Sequence, residues 1–196
     1  DIVRGTEHLI SFHYFFLRKL FFMKEAGALV LCPGGFGTLD EGLEVLTLIQ
    51  TGKTPLVPVV LLDTPDGTYW KGMIETFQRQ LADNHYILQT DMQLFRLVHS
   101  AEEATAEIVK FYANFHSCRW RKGRFVIRMN RPLNEPALEK IKTLFADLAQ
   151  NKKGFEQSAY DDERFQEREF SNLTYLIFTF NNKNFGRLRE LIDYIN

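Results

Sequence analysis

Apolar positions along the chain predict alternating helices and strands. Leu9, Phe12, Phe16, Leu20 and Met23 recur at three- and four-residue steps, which predicts a helix over about residues 7–25. Phe15 and Phe22 widen the stripe, so this helix is expected to be buried on more than one side. The continuous apolar run over residues 27–32 fits a strand buried on both faces of a parallel sheet. It stops at Pro33-Gly34-Gly35-Phe36-Gly37-Thr38. A helix is then expected over residues 39–51, with Leu43, Val45, Leu46 and Ile49 inward and Gly52 as its stop. A second strand covers residues 56–62. After it come a turn-rich loop and a helix over residues 69–82. A short strand at 95–98 precedes a helix over 101–115. This alternation predicts an α/β fold, an open sheet with helices on both faces.

Around residues 117–123 the composition shifts to Cys118-Arg119-Trp120-Arg121-Lys122-Gly123, and a domain boundary is placed there. Residues 1–118 form the first unit. Residues 119–196 form a small α+β module of β-α-β-α order: strands at 125–129 and 173–180, helices at 135–150 and 184–195. Between them, residues 151–172 read as a charged, solvated loop. The basic run Arg119, Arg121, Lys122 and Arg124 reads as a solvated hinge rather than a nucleic-acid contact.

Composition narrows the function classes. The chain has 196 residues, 45% hydrophobic and 25% charged, which suits a globular protein. A net charge of −1 does not imply a basic nucleic-acid surface and leaves only a local patch open. Eighteen Phe point to filled apolar layers or a buried subunit interface. Cys32 and Cys118 lack metal-ligand spacing, and a reduced cytoplasmic protein is the simpler reading. The most apolar stretch, residues 9–23, is broken by His13, Arg18 and Lys19 and is too short to span a bilayer, so no membrane partner is expected.

The segment over residues 33–41 lies between a buried strand and a helix start. Glycines there let backbone amides approach an anion, and the helix dipole favours negative charge. It is neither a Walker loop nor a dinucleotide fingerprint. A purely structural reading stands beside this one: Thr38 as N-cap and Glu41 three residues on make a capping box. Arg18 has apolar neighbours in sequence on nearly every side, and a buried cation needs a carboxylate or an anionic ligand. Lys19 fits either a solvated face or a partnered position. His13, Tyr14 and Trp70 read as packing residues.

Pro33-Gly34-Gly35-Phe36-Gly37-Thr38-Leu39-Asp40-Glu41, preceded by Arg18-Lys19 in a helix, resembles the signature of the LONELY GUY family. These are cytokinin-activating phosphoribohydrolases and their bacterial relatives, often labelled lysine decarboxylases. The resemblance runs over about residues 12–115 and includes Leu43-Glu44-Val45-Leu46-Thr47-Leu48-Ile49-Gln50-Thr51-Gly52-Lys53 and Tyr69-Trp70. It implies a Rossmann-like domain working as a homodimer or higher homo-oligomer, with no metal and no cofactor. It implies hydrolysis of the N-glycosidic bond of nucleoside 5′-monophosphates to free base and ribose 5-phosphate. Arg18 and Glu41 match the family's catalytic pair. Gly34, Gly35, Gly37 and Thr38 match its phosphate turn, Glu44 a nearby acidic position, and Lys19 the residue beside the arginine, and all six are expected to bind the substrate. Gly42 departs from the larger apolar residue usual there.

The transition state of such a reaction is oxocarbenium-like. Glu41, expected in the first helical turn and held ionised by the dipole, would stabilise it and orient or deprotonate water. Arg18 would hold the 5′-phosphate or steer Glu41. Asp40 competes with Glu41 for the ligand-facing position. The family's upstream half, with an early Gly-Ser turn and a second glycine-rich loop, has no counterpart here. The chain starts at Asp1 and is expected to be a fragment, inactive alone. A non-catalytic nucleotide-binding regulator of the same fold is the alternative, and residues 119–196 as a module setting oligomeric state is a third reading.

Overall fold

A computed structural model describes residues 5, 9–150, 154–159, 170 and 172–196. Helix α1 (Phe15–Glu25) leads to strand β1 (Leu29–Leu31) and helix α2 (Phe36–Gln50). Strand β2 (Val59–Leu62) is followed by α3 (Tyr69–Thr76), which runs on as a wider helical segment, Phe77–Ala82. A 3-10 turn, Gln89–Gln93, leads to β3 (Phe95–Val98) and α4 (Ala101–Phe111). Then come β4 (Phe115–Arg121), β5 (Arg124–Met129), α5 (Glu135–Leu144), β6 (Glu156–Ala159), β7 (Thr174–Phe178) and α6 (Phe185–Ile195).

Strands β1, β2 and β3 form a parallel sheet in that order, with Leu29 opposite Val59 and Leu61 opposite Leu97. Its two faces follow from strand alternation. Val60 and Val98 pack on Ala104 and Ile108 of α4. Leu31, Val59, Leu61 and Phe95 belong to the main core with Val45 and Ile49 of α2 and Trp70 of α3. The protein is therefore α/β and Rossmann-like, with helices on both faces of the parallel sheet.

The second sheet is antiparallel in the order β4-β5-β7-β6. Strands β5 and β6 run parallel on either side of β7, a split β-α-β arrangement. Its inner face, with Phe125, Ile127, Leu176 and Phe178, packs on Ile141 of α5 and Leu188 and Ile192 of α6. Those residues and the core of the parallel sheet form one continuous apolar cluster. Close backbone approach seals the junction. A Cβ on Gly186 would lie 1.9 Å from the Thr90 carbonyl oxygen, and one on Gly52 (φ +67°) 2.3 Å from the Phe185 ring. Many of the phenylalanines are used here: Phe125 and Phe185 both lie 5.2 Å from Phe180 between ring centroids.

Five expectations are corrected. Helix α1 begins at Phe15, not near residue 7; residues 9–14 are not helical and residues 6–8 lie outside those described. Aromatic residues and His lose side-chain freedom in a helix, so the 12–14 run favours extended backbone. Nor is α1 buried on several sides: Phe16, Leu20, Phe21 and Phe22 are all at least half exposed. Periodicity identifies an apolar face without identifying what covers it.

The helix over 101–115 ends at Phe111. Asn114 is buried and ties the chain elsewhere, its amide donating to Asn196 Oδ1 and its own Oδ1 accepting from the Arg131 amide, both at 2.8 Å. The segment read as a hinge is a hairpin. Lys122 (φ 46°) and Gly123 (φ 76°) are both left-handed, the geometry that matches strand twist in two-residue hairpins. Cys118 and Trp120 face the core side, where Cys118 joins the main cluster and Trp120 meets Phe125, and Arg119 and Arg121 alternate with them. From β4 onward the chain thus runs β-β-α-β-β-α, with β4 and β6 added to the expected β-α-β-α series. Most of the expected loop over 151–172 lies outside the described residues.

Candidate functional site

The glycine turn stands at the carboxyl end of β1, where open α/β sheets bind ligands. Here the structure differs from the expected capping box. Gly35, not Thr38, is the N-cap, and no side chain caps the helix. Thr38 is the third helical residue, its amide donating to the Gly35 carbonyl oxygen at 3.1 Å. Its side chain folds back over Gly34, where an added Cβ would lie 2.2 Å from Thr38 Oγ1. A Cβ at position 34 would force the Thr38 side chain or the turn to shift. The Tyr69 hydroxyl, from the start of α3, donates to the Gly34 carbonyl oxygen at 2.7 Å. Trp70 next to it is buried, its indole N–H donating to the Leu62 carbonyl oxygen at 3.2 Å. That bears out its reading as a packing residue.

The earlier helix start shifts the acidic residues out of the first turn. Asp40, Glu41 and Glu44 lie one turn further in, on the face toward α1, because positions three and four apart are neighbours on a helix. Helix-end charge falls off within the first turn, so the dipole is not what neutralises Glu41. Lys19 of α1 supplies the positive charge instead. Its Nζ lies 2.6 Å from Asp40 Oδ2, 2.6 Å from Glu44 Oε2 and 4.0 Å from Glu41 Oε2. Hydrogen bonds to Asp40 and then Glu44 raise the Lys19 pKa well above the ordinary lysine range.

Arg18 is exposed, not enclosed by its apolar sequence neighbours. With Lys19, Phe22 and Glu41 it lines an open hollow of about 370 Å³. Arg18 and Phe22 are four residues apart and share one face of α1. The structure thus brings Arg18, Lys19, Glu41 and Glu44 into one cluster. Gly34 and Gly35 form the turn that opens the same helix, and Gly37 and Thr38 lie in its first turn. His13 and Tyr14, expected to pack, are exposed, with the Tyr14 ring stacked 5.7 Å from Phe16.

The sequence does not mark three residues of this site. Asp40 reads as a competitor of Glu41 rather than a partner of Lys19, although its four-residue spacing to Glu44 carries that signal. Phe22 reads as part of an apolar stripe. Tyr69 stands 35 positions from Gly34, and no local pattern points to that contact.

Gly42 is buried against β1, an added Cβ lying 2.7 Å from Leu31 Cδ1. Its small size lets α2 sit close to the strand. Among the described residues no group of three or more His, Cys, Asp or Glu is placed to hold a metal ion, and no helix is long and apolar enough to cross a membrane. The family described as "Possible lysine decarboxylase" matches residues 3–108. No curated protein matches the chain.

Proposed function

Because the chain belongs to the possible lysine decarboxylase family, which shares the span of the LONELY GUY resemblance, we propose that it hydrolyses the N-glycosidic bond of nucleoside 5′-monophosphates. One observation carries this reading. A carboxylate, Glu41, and a guanidinium, Arg18, line one hollow, and Glu41 rides on the helix that the glycine turn opens.

The reaction needs those parts. Departure of the base leaves positive charge at the anomeric carbon, and a fixed carboxylate stabilises it. Glu41 also takes a proton from the attacking water, whose oxygen bonds to that carbon as the glycosidic bond breaks; the base keeps the bonding electrons and is protonated from solvent, and Glu41 returns its proton to solvent. The products are free base and ribose 5-phosphate. The 5′-phosphate sits on the turn over residues 34–38, where glycines and helix amides favour an anion. Tyr69 fixes the turn through Gly34. Arg18 offers a planar fork to the phosphate or to Glu41. The exposed Phe22 ring gives the base an apolar wall.

Decarboxylation of lysine through a Schiff base calls for an amine that is readily neutral. Lys19 is held in the opposite state by its carboxylates. Lys24 is exposed beside Glu25 at 3.7 Å, away from the turn. The working form is proposed to be a homo-oligomer, as the family resemblance implies.

The test is product analysis on the full-length protein. Nucleoside 5′-monophosphates should yield free base and ribose 5-phosphate, and the corresponding nucleosides should react far more slowly. Equal rates on nucleosides would remove the phosphate role of the turn. Nucleotide binding without release would favour the regulatory reading.

A further inference from the structure

Three carboxylates, Asp40, Glu41 and Glu44, stand on one face of α2, whereas the proposed hydrolysis uses one. We propose that Lys19 is a positioning residue that holds Asp40 and Glu44 and thereby leaves Glu41 as the carboxylate presented to the substrate; this rests on the glycosidic-hydrolysis reading above.

The distances make the selection. Asp40 and Glu44 are four residues apart, so their carboxylates share one face of the helix on successive turns and can close on one cation from two sides. The ammonium of Lys19 bridges them with two contacts of 2.6 Å. Glu41 Oε2, at 4.0 Å, is beyond hydrogen-bond reach. It feels the charge without being consumed by it, and it lines the hollow with Arg18. Only 11% of the Lys19 side chain is exposed, and the raised pKa keeps it protonated throughout the neutral range. It is a fixed charge, neither base nor nucleophile. Without it, three like charges on adjacent turns would repel, and Asp40 or Glu44 would compete for the same water and the same developing cation.

The test compares Lys19→Met and Lys19→Arg in the full-length protein, measuring kcat, KM and their pH dependence on one nucleoside 5′-monophosphate. Lys19→Met should lower kcat on the order of 10- to 100-fold, the scale of misplacing a reacting group. KM should stay within about twofold, since substrate contacts remain. The acid limb of kcat should move to higher pH, and Lys19→Arg should recover most of the rate. Adding Asp40→Asn and Glu44→Gln to Lys19→Met should restore part of kcat, because the competing carboxylates are then neutral. A raised KM with kcat preserved would make Lys19 a substrate ligand and overturn the proposal. So would a lower melting temperature with kcat and its pH profile unchanged, the mark of a mere tie between helices. Absence of base release by the unmodified protein would instead bring down the hydrolysis reading itself.

Discussion

The Tyr69 hydroxyl and the Gly34 carbonyl oxygen are 2.7 Å apart, joining the start of α3 to the turn after β1. This bond fixes the Gly34 carbonyl, so the amides that follow keep one orientation. Tyr69→Phe removes the donor and little else. A single hydrogen bond of this type contributes about 0.5–1.5 kcal/mol. The expected outcome is a several-fold rise in KM for a nucleoside 5′-monophosphate with kcat nearly kept. An unchanged KM would show that the turn is held by its glycines alone.

Two neighbouring glycines should respond oppositely in the free protein. Gly34→Ala drives a Cβ into Thr38, 2.2 Å from its Oγ1 and 3.0 Å from its Cβ, so the Thr38 side chain or the turn must shift. Gly35→Ala meets nothing within 4 Å. Chemical denaturation should show a loss of about 1–3 kcal/mol for Gly34→Ala, the range for a forced small-to-large change. Gly35→Ala should be nearly neutral in stability and still weaken nucleotide binding measured by calorimetry. A Gly35→Ala protein that binds nucleotide normally would place the phosphate elsewhere.

The two thiols should differ in reactivity. Burial pushes the Cys118 thiol up to about 11, whereas Cys32 is exposed at the end of β1. At pH 8 the Cys118 thiolate is scarce, and thiolate is the attacking form. Alkylation of the native protein at pH 8 should therefore label Cys32, with Cys118 following only on unfolding, as read by peptide mass spectrometry. The same shift makes stability depend on pH. The folded state holds the Cys118 proton more tightly than the unfolded chain does, so this contribution is complete below pH 9.0 and is lost as pH rises toward about 11. Cys118→Ala should flatten that alkaline decline.

Much of the first sheet is legible from the chain because its strands are short apolar runs and its helices carry clear stripes. The strands at residues 59–62 and 95–98 and the helical run over 69–82 fall where periodicity places them. Strand β4 escapes such reading because Arg119 and Arg121 alternate with Cys118 and Trp120 in a segment whose charge suggests solvent. The helix start at Phe36 escapes it for another reason. Thr38 with Glu41 satisfies the sequence pattern of a cap, yet the glycines allow the helix to begin before Thr38 reaches that position. At the candidate site the glycines stand out by residue type, and Arg18 and Glu41 are marked by the family resemblance. The pairing of Lys19 with Asp40 and Glu44 depends on how α1 lies against α2, which no single segment encodes.

Glu41→Gln tests the central claim most directly. It keeps size and helix position while removing the charge that faces the hollow. Base release from a nucleoside 5′-monophosphate should fall by about 100-fold or more, the scale of removing a general base or a preorganised charge. Nucleotide affinity should hold within a few-fold, since the phosphate turn is untouched. Release at the wild-type rate by Glu41→Gln would contradict the assignment and shift the chemistry to another carboxylate on α2.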